Sequence, residues 1–224
     1  MADRFAKMTG FACEITLTAG LFFDGHRLSE EERAGIYARD VKINKLERKI
    51  RKRVVTHLSL AGSRPSLPYC LLLISLVKDV ERLGDYAKNL AELGDLYEGE
   101  LPDDEILAEL NEIRGGVERA FRSTGETFGA SDRERALQLI AQGKGYARRC
   151  DDLLLSIAAS DYSAGLATAM ALGARYYKRI GGHLLNILSS VVMPLHKVDY
   201  YDEDSLPAGI SDTDDGNGNG EGES

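Results

Sequence analysis

Apolar residues at Ile43, Leu46, Ile50 and Val54, with His57 extending the series, recur every three or four positions and line one side of a helix. The opposite side carries Lys42, Lys45, Lys49 and Lys52, joined by Arg48 and Arg53. This helical period, broken at intervals by turn residues, predicts six helices. Asp24-Gly25-His26 ends the first. Ser29 and Glu32 form a capping box at the head of a long second helix, which stops between Gly62 and Pro68. A third runs from Ser66 or Tyr69 to the Glu98-Gly99 turn. Pro102, followed by Asp103 and Asp104, opens the fourth, where acids favour the positive end of the dipole. Ser131 to Glu134 caps the fifth; the sixth starts at Asp161 or Ser163 and is bent or ended by Pro194.

Composition agrees with an all-α chain. Leu, Ala, Glu, Lys and Arg are abundant, Pro is limited to five positions and Trp is absent. At 224 residues the chain can bury a sizeable core as one elongated domain or two small ones. The net charge of −8 is a local property. Eight of the 36 acids fall after Tyr201 with no Lys or Arg among them, and the remaining 28 match the 28 bases. Residues 201–224 therefore read as a disordered acidic tail, too poor in apolar surface to offset the entropy of ordering.

Several classes of function drop out. Cys13, Cys70 and Cys150 form no Cys-x-x-Cys pair and read as buried free thiols of a reducing compartment. The longest apolar run, Pro68 to Val77, is half of what a membrane-spanning helix of roughly 20 residues needs. The N-terminus has no secretory signature, so a soluble cytoplasmic protein is expected. The basic stripe on the second helix is a solvated face or a surface for an anionic partner; a neutral body with few interleaved aromatics argues against nucleic acid. None of His26, His57, His183 and His196 has a Glu three residues before it, and no phosphate-binding loop or nucleophile constellation is present, so catalysis is disfavoured.

The chain repeats itself. ERLGDYAKNL at 81–90 and KRIGGHLLNI at 178–187 align at a constant offset of 97, each in the third helix of a triplet. Upstream, Ile43 to Ile50 lies against Cys150 to Ile157, matching Asn44 to Asp151 and Asp40 to Ala147. The expected division is residues 1–99 for one three-helix unit, 100–200 for a degenerate second unit, and 201–224 for the tail.

Glu81, Arg82, Gly84, Asp85 and Asn89, with Asp40, Asn44 and Glu47 upstream, resemble the paired signatures of the PhoU family of phosphate-uptake regulators. The resemblance implies two repeated three-helix bundles. It also implies regulation of phosphate uptake and signalling by contact with a phosphate transporter or its cytoplasmic subunit, and with a sensor histidine kinase, by a homodimer rather than an enzyme. It further implies a metal (Fe, Mn, Mg or Zn) held by Asp40, Asn44, Glu47, Glu81 and Asp85.

Helical spacing puts Glu81 and Asp85 on one face and Asp40, Asn44 and Glu47 on another. Facing each other, such stripes would converge oxygen donors suited to hard cations. Gly84 would then permit close approach of a neighbour, at about 1 kcal/mol of helix propensity. The plainer alternative pairs Glu81 with Lys78 or Arg82, and Glu47 with Arg51, leaving a non-catalytic helical scaffold without metal. The second copy departs from the signature, with Lys178 for Glu, Gly182 for Asp and Ala147 for the upstream Asp. Lys178 is expected to supply internally the positive charge that a cation supplies in the first copy.

Overall fold

The computed structural model describes residues 1–60, 66–195 and 198; the acidic tail expected at 201–224 lies outside the described residues. Six α-helices are present among the described residues: α1 (Ala2–Gly20), α2 (Glu30–Leu58), α3 (Leu67–Ala91), α4 (Glu105–Ala130), α5 (Arg133–Ala158) and α6 (Ala164–Val192). The first three pack on one another as one bundle and the last three as a second. The bundles meet through α3 against α6 and α1 against α4. One continuous apolar core runs through both, from Met8, Ile43 and Leu76 to Phe121, Met170 and Ile187.

Local chemistry explains the boundaries. The Ser29 side chain accepts from Glu32 N–H, while Glu32 accepts from Ser29 N–H at 2.8 Å, so the expected capping box fixes the start of α2. Asp104, Asp132 and Ser163 cap α4, α5 and α6 through side-chain oxygens. α6 ends at Val192 because Met193, before Pro194, takes an extended conformation.

Several boundaries differ from expectation: α1 gives way at Gly20 to a 3-10 segment, Leu21–Asp24, and α4 starts at Glu105, after Pro102 and Asp103. α2 ends at Leu58, with Ser59 as its cap, before Gly62 is reached. α3 stops at Ala91 rather than near Gly99. Its chain turns through a short 3-10 segment, Leu93–Asp95, that buries Leu93 and is held to α2 by a two-pronged Arg33–Asp95 pair at 2.7 and 2.9 Å. Ser131 does not cap α5; it closes α4 in the left-handed conformation (φ 52°), and Asp132 takes over as cap.

The contact between α3 and α6 carries the signature of duplication in its pairings. Asp79 meets His183 and Tyr86 meets Tyr176, two contacts that exchange under the offset of 97. Tyr86 and His183, equivalent by the same offset, stack on each other at 5.7 Å. Residue i touching j′ while j touches i′ is the pattern of a two-fold interface, here inside one chain.

Candidate functional site

The acidic motif residues lie along the seam between α2 and α3. Gly84 sets how closely the helices approach. A β-carbon placed there would lie 3.1 Å from Cδ1 of Ile43 and 3.2 Å from Oδ1 of Asp40, so its absence admits both side chains against the α3 backbone. Sequence reasoning gave this glycine the same role.

The five candidate ligands fall into two adjoining groups. In the first, Asp40 is buried at 6% exposure. Its Oδ2 accepts from Asn44 Nδ2 at 3.3 Å and from Lys88 Nζ at 3.1 Å. Asp85 reaches the same ammonium at 3.0 Å. Burial works against the Lys88 charge, but hydrogen bonds to Asp85 and Asp40 and the fields of both carboxylates outweigh it, leaving its pKa above the ordinary lysine value. In the second group, Asn44, Glu47 and Glu81 line a shallow depression with Val41 and Arg48. Glu81 pairs with Lys78 at 2.6 Å and Glu47 with Arg51 at 2.9 Å, the local partners that helical spacing predicts.

The donor set tests unevenly against a metal. Its oxygens are of the right kind for a hard cation, and Oδ1 of Asp40 is buried with no hydrogen-bond partner among the described residues. As arranged, however, the position between Asp40 and Asp85 is held by Lys88. Among the described residues no three His, Cys, Asp or Glu side chains are grouped to hold an ion. Lys88 was missed by sequence reasoning, although its place three residues after Asp85 on the same helical face could have exposed it.

In the second copy, Lys178 pairs with Asp151 at 2.7 Å. Internal neutralisation expected there of Lys178 is thus matched in the first copy by Lys88. The shared Asn also has a partner: Asn186 donates to Asp79 at 2.9 Å, beside the His183 contact at 2.8 Å, tying α6 to α3.

The three cysteines are free: Cys70 and Cys150 are buried and Cys13 half-buried. Burial pushes the Cys13 thiol up to about 11 and the Cys150 thiol to about 12. No described helix is long and apolar enough to cross a membrane.

Comparison with known proteins gives a consistent answer. The family model described as PhoU domain matches residues 21–94, which contain α2, α3 and the whole acidic seam. The crystal structure of PhoU from Pseudomonas aeruginosa is similar with a TM-score of 0.74 at 23% identity, covering 84% of this chain and 92% of that one. The phosphate transport system regulatory protein PhoU from Streptococcus pneumoniae is similar with a TM-score of 0.72 at 17% identity, covering 84% of this chain and 90% of that one. No curated protein matches. Residues 21–94 thus match a PhoU domain, and the chain shares the fold of the PhoU structures.

Proposed function

We propose that this protein regulates phosphate uptake and phosphate signalling by protein–protein contact and without catalysis. Its partners in this reading are a phosphate transporter or its cytoplasmic subunit and a sensor histidine kinase, met by a cytoplasmic homodimer. The observation that carries the proposal is the coincidence of the matched PhoU domain with the acidic seam of α2 and α3. The test is deletion of the gene, with uptake of radiolabelled phosphate and the transcriptional response to phosphate starvation measured in replete medium. Derepression of both is expected; unchanged uptake and signalling would overturn the reading and leave the fold intact.

A metal belongs to the same proposal. Fe, Mn, Mg or Zn would be taken by Asp40, Asn44, Glu47, Glu81 and Asp85 in competition with Lys88, supported by the unpartnered Oδ1 of Asp40. Elemental analysis of the purified protein beside a folded Glu81→Ala, Asp85→Ala variant tests it. Stoichiometric metal that the variant loses is the expected result. No metal after incubation with Fe²⁺, Mn²⁺, Mg²⁺ and Zn²⁺ would overturn it. The neutralising partners Lys78, Arg51 and Lys88 favour the second reading, a helical interaction scaffold with no metal.

A further inference from the structure

Where the first bundle has an acidic seam, the second has a basic cavity. A space of about 600 Å³ lies between α5 and α6, and its charged lining is Lys144 and Arg148 from α5 and Arg175, Lys178 and Arg179 from α6. Among the described residues Asp151 is the one carboxylate in that lining, and it serves both Lys178 at 2.7 Å and Arg175 at 3.7 Å. No described carboxylate pairs with Arg148 or Arg179. On the packed neighbour α3, Asp79 is engaged by His183 and Asn186, which also line the space.

The cavity follows from the same substitutions that make the second motif look degenerate. Ala147 and Gly182 stand where the first copy has Asp40 and Asp85, and a β-carbon at Gly182 would meet nothing within 4 Å. Lys178 replaces Glu81 and Leu185 replaces Lys88. The acids have been exchanged for room and positive charge, which inverts the sign of the site rather than erasing it.

Cations three and four residues apart on facing helices repel one another, and a recess walled by protein screens them less than open water does. An anion relieves that repulsion. Arginine forks match tetrahedral oxyanions by two parallel hydrogen bonds, and the volume is that of a small-molecule site, larger than a single phosphate fills. We propose that this cavity binds a soluble, multiply charged phosphate-type anion. The clustered cations call for an anion whatever the protein's role; the choice of phosphate chemistry rests on the proposed role in phosphate control.

Calorimetric titration of the full chain at constant ionic strength, with inorganic phosphate, pyrophosphate and tripolyphosphate as probes, tests the site. One saturable site is expected, with affinity rising from phosphate to tripolyphosphate. Arg148→Ala with Arg179→Ala, both exposed, should weaken tripolyphosphate binding about tenfold or more. Lys49→Ala with Lys52→Ala on α2 should leave it unchanged. Absence of saturable binding, affinity that does not rise with charge, or equal loss from the α2 pair would each overturn the proposal. So would binding confined to vesicles of phosphatidylcholine with phosphatidylglycerol. Because this is measured on purified protein, anion binding can fail while gene deletion still alters uptake, and the reverse.

Discussion

The Lys88 ammonium of α3 stands 3.1 Å from the Asp40 carboxylate of α2, making a cross-helix ion pair at the centre of the acidic seam. Asp40 is only 8% exposed at its side chain and Lys88 22%, so the pair is better shielded from water than an ordinary surface bridge. Removing one partner should therefore cost more than the removed bond.

Lys88→Met is expected to destabilise the fold by roughly 1–3 kcal/mol, between the values for exposed and buried pairs. Asp40→Asn added to it should restore part of the loss, because the uncompensated charge goes with it. Denaturant melts of the two variants decide this; equal stability of wild type and Lys88→Met would show the pair to be idle. In the proposed metal reading, Lys88→Met should also raise the melting temperature in Mn²⁺ or Mg²⁺ more than wild type does.

Gly84→Ala sets two effects against each other. Alanine gains about 1 kcal/mol of helix propensity, but overpacking costs about 1–3 kcal/mol. Its new methyl would press on Ile43, which is fully buried, and on Asp40, held by Lys88 and Asn44. A small net loss is expected, relieved by Ile43→Val and enlarged in Gly84→Val. Equilibrium unfolding of the three variants reads the order; if Gly84→Ala alone were the most stable, the close approach would not be tight.

Glu118 gives a pH dependence. Burial raises its pKa, and this outweighs the opposing field of Arg114 and the hydrogen bond donated by Tyr177. An acid whose pKa is raised on folding binds its proton more tightly in the folded state, so stability falls as pH rises from the ordinary value near 4.5 through the raised one. Glu118→Gln is expected to melt higher than wild type at neutral pH, with the gap closing as pH falls through that window. A gap independent of pH would assign the effect to packing instead.

The thiols offer a chemical check on the core. With Cys150 pushed up to about 12 and Cys13 to about 11, thiolate is scarce at neutral pH. Iodoacetamide should label the native protein slowly at Cys13 and negligibly at the buried Cys70 and Cys150, and all three rapidly in guanidinium. Mass spectrometry after timed quenching reads this, and fast native labelling of Cys150 would contradict the packing of α5 on α6.

What the sequence disclosed was mostly what acts within one helix. Ser29 with Glu32, and Pro194 after Val192, are local signals, so the helices they bound were legible. Lys78 with Glu81 and Arg51 with Glu47 were legible for the same reason. The end of α3 was not, because it depends on Arg33, which reaches Asp95 from 62 residues away. Lys88 is legible as a partner of Asp85, three residues earlier, but not as the partner of Asp40, on another helix. The basic cavity needed both α5 and α6 in place. Lys144 and Arg148, like Arg175 and Arg179, each resemble a solvated pair until the other two face them.

The back-to-back packing of α3 and α6 has a mechanical consequence. At 100° per residue, Asp79 points about 200° away from Glu81 and about 180° away from Lys88 around the α3 axis. One rod thus carries the acidic seam on one flank and, on the other, grips His183 and Asn186 at the wall of the basic cavity. The acidic seam and the basic cavity are parted by the thickness of a single helix, about 10–12 Å. A rigid rod has one angle of rotation, so α3 cannot turn toward either the seam or the cavity without turning away from the other.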